Sequence, residues 1–248
     1  MIQLLERGDV VFAYRPRIDR GTATGPEDVQ RFYAILEPDG VTRVRRLILG
    51  RKRLPRPERR ERVWGFVDEV ADRPDVVTQE LDQQTYVTRT RGERVLPAAR
   101  PAGEGVYGIV RHDDHTHLAY QLELPAEPGE VQQQLGIERQ ASYILSVRNP
   151  DAPAPPGAGL PPRERARLPE ELRRLFGGRR FIDADPPALL DHPGVEFVLI
   201  GASADVRREL GLDLHPEHET LDSADVFRRL GLSRERTPVA PLVEGRWE

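Results

Sequence analysis

RFYAILEPDGVTRVRRLILG (31–50) is the stretch on which the fold turns. Two runs rich in β-branched, aromatic and aliphatic residues, RFYAILE (31–37) and VRRLILG (44–50), flank the polar segment PDGVTR. Two such runs joined by a short turn predict neighbouring antiparallel strands. The same character recurs on either side. GDVVFAYR (8–15), VWGFVDEV (63–70), VYGIVR (106–111), HLAYQLEL (117–124) and SYILSVR (142–148) are all short and bounded by Gly, Pro or Asp. Two helices interrupt the series. One is expected near 74–84, where Pro74 suits an opening position and Val77, Leu81 and Gln84 keep helical spacing; the other lies near 128–135.

A duplication is suggested within this region. GDVVFAYRPR, RFYAILEP and RRLILGRKRLP precede GEGVYGIVRHD, HLAYQLELP and SYILSVRNPD in the same order, although strand periodicity alone produces a similar likeness. The segment NPDAPAPPGAGLPP (149–162) holds six prolines and reads as a semi-stiff connector. Beyond it the pattern becomes helical. LPEELRRLFGG (168–178) has its acidic residues at the start and its arginines at the end, as the helix dipole favours, and RRFIDA and VEFVLI (195–200) read as strands. SADVRRELGL (203–212) and SADVFRRLGL (223–232) agree at eight of ten positions, and EVQQQLGI (130–137) is a looser copy. Their common V-x-x-x-L-G ending is that of a helix closed by a left-handed glycine, with Ser203 and Ser223 expected as N-caps. The fold expected is therefore α+β. A largely antiparallel, β-rich domain spans 1–148, the linker 149–162 follows, and a smaller helical α/β region occupies 163–248.

Composition narrows the chemistry. The absence of cysteine removes disulfides, thiolate nucleophiles, iron–sulfur ligation and cysteine-type zinc sites, and it agrees with a cytoplasmic setting. The start MIQLLERGDV lacks the pattern of a secretory signal, and VEFVLIGA (195–202) is too short to cross a bilayer, so no membrane association is expected. Of the 37 basic residues all but Lys52 are arginine, and no GxxxxGK[ST] phosphate loop occurs.

The basic residues are unevenly spread. RVRRLILGRKRLPRPERRER (43–62) holds ten of them against Glu58 and Glu61, a formal +8 in a chain whose net charge is −4. Arginine presents a planar donor fork that suits phosphate and carboxylate. Arg45, Arg46, Arg51, Lys52, Arg53 and Arg56 are thus the candidate anion-binding residues, with nucleic acid or an acidic protein surface as the partner. The competing expectation is a run paired with the surplus carboxylates of the chain itself.

A second constellation is RHDDHTHL. If Asp113 and Asp114 form a hairpin turn, His115 and His117 share a strand face with His112 opposite, an arrangement that would suit zinc or another divalent ion. His215 and His218 could complete such a site only if the C-terminal region folds back onto it. Ser203 sits between a strand and a helix, as a nucleophile would, but Asp205 stands where the second glycine of GxSxG belongs, and capping accounts for the serine. Asp183 and Asp185 in FIDADPP are paired carboxylates at a strand end, where turn chemistry is the ordinary explanation. DVFRRLGLSRERTPVAPLV (225–243) is similar to the second helix and turn of a helix-turn-helix, yet Pro238 and Pro241 would break the recognition helix, leaving a capped surface helix. The leading expectation is a non-catalytic binding protein that engages an anionic partner through 43–62. The alternative is a metal-dependent hydrolase with His112, His115 and His117 as zinc ligands.

Overall fold

The computed structural model describes residues 2–248 apart from Arg91, 154–158, 217–218, Leu221, Arg229, Gly231 and 234–236, and apart from the side chains of Thr78 and Arg228. Its strands are β1 (Ile2–Pro16), β2 (Val29–Pro38), β3 (Val44–Leu49), β4 (Arg62–Ala71), β5 (Gln84–Thr88), β6 (Gly92–Leu96), β7 (Arg100–His112), β8 (His115–Leu124), β9 (Gln140–Arg148), β10 (Phe181–Asp183) and β11 (Glu196–Ser203). The main sheet runs β10-β9-β11-β4-β3-β2-β1-β7-β8, and β9 also pairs with β8. Eight strands, β9-β11-β4-β3-β2-β1-β7-β8, thereby close into an antiparallel barrel. β10 continues along the part of β9 that β8 leaves free, pairing at Ser146, Val147 and Arg148.

The α+β class expected from the sequence is corrected by this topology. The helical periodicity after residue 163 is real but brief. Among the described residues the helices α1 (Pro74–Gln79), α2 (Glu130–Leu135), α3 (Glu170–Leu175), α4 (Val206–Leu210), α5 (Asp225–Arg228) and α6 (Ala240–Val243) are four to six residues long, too short to form a layer. The same part of the chain supplies β11, a stave between β4 and β9. β1–β2–β3 and β7–β8–β9 are each antiparallel meanders, joined through β1 and β7.

Closure needs bent strands. Register shifts fall between Leu4 and Glu6, Phe12 and Ala13, Arg46 and Leu47, and Glu104 and Gly105, and each lets its strand coil around the axis. Neighbouring strands come close enough that a Cβ on Gly8 would lie 2.0 Å from the Glu37 carbonyl oxygen. The interior is filled by the inward half of each strand. Phe12, Tyr107, Tyr120, Tyr143, Leu36 and Leu47 belong to this core, with Phe12 edge-on to Tyr120 at 4.9 Å between ring centroids. The residual cavity is about 10 Å³. An eight-stranded barrel is just wide enough to be packed by its own side chains, and this one is.

The outer wall is covered in two places. Val77 and Leu81, together with Ala224, Val226, Leu230 and Leu242, pack on the outward residues of β1–β3. Val206 and Leu210 of α4 cover Val110 and Ala119. Gly136 and Gly211 close α2 and α4 in the left-handed conformation. The N-cap of α4 is Asp205, which accepts from the Arg208 N–H at 3.0 Å, whereas Ser203 closes the turn before it. Of the proline-rich stretch, 154–158 lie outside the described residues. No helix among the described residues is long and apolar enough to cross a membrane.

Candidate functional site

The arginine run divides at Gly50. Its first half is β3, where alternation sends successive side chains to opposite faces. Arg45 points into the barrel alongside Leu47 and Leu49. There it forms a bidentate pair with Glu6 at 2.6 and 2.9 Å and donates to Asp191 at 2.7 Å. Tyr107 donates to the same Glu6 carboxylate at 2.8 Å, and Arg43 holds the other oxygen of Asp191. Arg46 points outward under α1, pairs with Asp68 and Glu80, and lies over the Tyr33 ring. Asp68 is the residue that the β3–β4 register skips, which brings its carboxylate to the Arg46 Nε at 2.8 Å. Both guanidiniums are buried, and their counter-ions come from the chain itself, Glu80 from an exposed position.

The second half is the loop between β3 and β4. Leu54 is its anchor: it is buried in the barrel core, and its N–H donates to the Leu135 carbonyl at 2.9 Å. Pro55 and Pro57 are buried beside it. Gly201 of β11 lies flat against the loop, where a Cβ would be 2.2 Å from the Arg56 carbonyl oxygen. The charged residues around this anchor turn outward. Arg51 and Arg53 share Glu61, whose carboxyl is drawn down to about 2, chiefly by the hydrogen bond from Arg53. Lys52 donates to the Val29 carbonyl at 2.6 Å, and burial lowers its pKa, with Arg17 adding to the effect. Arg56, Arg59, Arg60 and Arg62 are exposed and make no ion pair among the described residues. Residues 51–62 carry seven basic side chains and two acidic ones, and one of those two, Glu61, is already engaged.

The histidine cluster does not converge, and the zinc site expected there is corrected. His112 and His115 pair across the hairpin end, with Asp113 in the left-handed conformation at the turn. The His112 and His117 rings are 5.7 Å apart and tilted by 49°, while His115 lies against Asp114 and lines a separate hollow of about 260 Å³ with Asp183 and Asp185. His117 is buried and its pKa is lowered to about 4 by burial first, then by His112 and His115. Among the described residues no group of three or more His, Asp or Glu side chains is placed to hold a metal ion. His218 lies outside the described residues; His215 is exposed and pairs with Asp213. Asp185 is bound by Arg111.

Two features escaped the sequence reading. Glu104, in a strand between Gly103 and Gly105, is buried and accepts from the Asp225 and Val226 N–H groups at 3.2 and 3.0 Å. Burial, then the facing Glu219, raises its pKa well above the carboxylate range. It ties the C-terminal segment to the barrel wall. A glutamate flanked by glycines in an otherwise apolar strand was the available signal. Beside it lies an acidic hollow of about 350 Å³ lined by Asp9, Asp39, Glu123, Glu219 and Asp225. The other feature is the β5–β6 hairpin, a two-stranded sheet separate from the barrel. The β-branched runs TYVT and RVL around Arg91-Gly92 could have marked it. Comparison of the chain with protein-family models, with curated proteins and with solved structures gives no match.

Proposed function

We propose that the protein is a non-catalytic binding protein that takes an anionic macromolecule on the loop between β3 and β4. The observation that carries this reading is the outward face of that loop, with Arg56, Arg59 and Arg60 exposed around the buried Leu54 and Arg62 exposed where β4 begins. Arg51, Lys52 and Arg53 stand beside them. Arg45 and Arg46 take no part, because their donors are spent inside the fold. The packed barrel interior supports an outer-surface contact over an enclosed ligand. The anchored backbone supports it too, since a positioned charge loses less freedom on binding than a floppy one. Nucleic acid and an acidic protein face are the partner classes that this charge suits, and a cytoplasmic setting accords with a chain that has no cysteine.

The test is a mobility-shift titration of the protein against single-stranded DNA, duplex DNA and polyglutamate, repeated across salt concentrations. Binding that weakens steeply with salt is expected, because each phosphate contact releases counter-ions. No retention of any of the three at low salt would refute the proposal.

A further inference from the structure

The β5–β6 hairpin stands at the same end of the barrel as the basic loop. Its base is fixed there: the Asp19 N–H donates to the Val95 carbonyl at 2.9 Å, the Asp19 carboxylate receives the Val95 N–H at 2.9 Å, and Arg94 pairs with Asp19. Asp19 lies in the β1–β2 connection, which runs into β2 at Val29, and Lys52 of the loop donates to the Val29 carbonyl at 2.6 Å. Hairpin, connection and loop therefore form one rim. The hairpin lies outside the barrel sheet, and its β5 strand is exposed at Gln84, Thr85, Tyr86 and Val87, the last of these 78% exposed. Residues 84–96 carry Arg89, Arg91 and Arg94 against Glu93; with Arg94 taken up by Asp19 the arm keeps a formal +1, the sign of the loop and not that of the whole chain.

We infer that this hairpin is an arm that enters the major groove of a nucleic-acid duplex whose phosphates the β3–β4 loop holds. The inference rests on the anion-binding reading above and adds the partner. Shape supports it: the major groove, about 12 Å wide, accepts a two-stranded ribbon, and five residues of strand reach about 17 Å. Charge supports it, since Arg89 is exposed on the arm and a guanidinium is the commonest reader of guanine edges. The aromatic inventory favours duplex over single strand. The exposed aromatic side chains among the described residues are Tyr86 and Phe181, and Phe181 packs edge-on against Trp64, so the rim offers Tyr86 alone and no row of rings on which successive bases could stack.

The experiment compares wild type with Tyr86→Ala/Arg89→Ala, measuring affinity for a mixed-sequence duplex, for heparin as a flexible polyanion and for polyglutamate. Both positions are exposed, and an unchanged melting temperature is required of the variant before its binding is read. The expected result is a loss of duplex affinity on the order of tenfold, with heparin binding kept within about twofold. Equal duplex affinity for variant and wild type would overturn the arm while leaving the loop reading in place. Polyglutamate bound as tightly as duplex, with the same loss in the variant, would also overturn it in favour of an acidic protein partner. A wild type that binds heparin or polyglutamate but not duplex would overturn the arm alone, and one that binds none of the three would overturn the arm and the loop together.

Discussion

Arg45 and Glu6 are 39 residues apart in the chain and meet as a bidentate ion pair inside the barrel, with the Tyr107 hydroxyl on the same carboxylate. Asp191, 146 residues from Arg45, closes the group from the other side. Four polar side chains thus satisfy one another among the interior apolar residues. Such a group costs little while complete and much when one member is removed, because the remaining charge is stranded away from water. Arg45→Met should therefore lower the unfolding free energy by about 3–5 kcal/mol in a denaturant titration. Arg59→Ala, at an exposed loop position, should leave the melting temperature unchanged. Equal effects of the two substitutions would mean that the run does not divide as described.

The division at Gly50 also shows how far the letters could be read. The strands of 31–50 announced themselves because β-branched and aromatic residues alternate between polar turns. VRRLIL further implies that Arg45 and Arg46 face opposite ways, since neighbouring strand residues always do. What the local pattern could not supply was where each one ends up. The counter-ions Glu6, Asp68, Glu80 and Asp191 come from four other parts of the chain. Barrel closure was hidden for the same reason: β9 bonds both β8 and β11, and β11 lies beyond a proline-rich stretch that reads as a boundary. The histidines misled because a shared strand face was counted without the burial that isolates His117 or the turn that takes His115 toward Asp114.

Loop placement depends on backbone contact as well as charge. Gly201→Ala would put a methyl group 2.2 Å from the Arg56 carbonyl oxygen, and neither atom sits at the end of a flexible side chain. The loop must shift. Destabilisation of about 1–3 kcal/mol is expected, as for other overpacked sites, with weaker anion binding although no charge has changed. Thermal denaturation and the polyanion titration check the two parts separately.

His117 should impose an acid limit on stability. Its pKa is about 4 in the fold against 6.5 ordinarily, so between those values the unfolded chain binds the proton and the native state does not. Stability should therefore fall as pH drops from 6.5 toward 4, by up to about 3 kcal/mol from this group. His117→Asn removes the titration and should flatten that part of the curve, whatever it does to stability at neutral pH. An unchanged slope in the variant would contradict the assignment.

Glu104 works in the opposite direction. Its raised pKa means that the native state keeps a proton which the unfolded chain releases above the ordinary carboxylate range. Its contribution is complete in acid and is lost as pH rises through the native value, so the protein should weaken toward alkaline pH. Glu104→Gln removes the titration and keeps one of the two oxygens that accept from the Asp225 and Val226 N–H groups, with an amide in place of the other. The variant should lose stability at acid and neutral pH with the missing acceptor, and its melting temperature should fall less than that of wild type as pH rises from the ordinary carboxylate range into alkali.

The most direct measurement is the salt dependence of duplex binding for wild type and for Arg56→Ala/Arg59→Ala/Arg60→Ala. Each lost phosphate contact should reduce the slope of log K against log salt by about 0.9. If these three exposed side chains hold the partner, the slope of the variant is shallower by about two to three. Identical slopes for the two proteins would show that the β3–β4 loop is not where the anion binds.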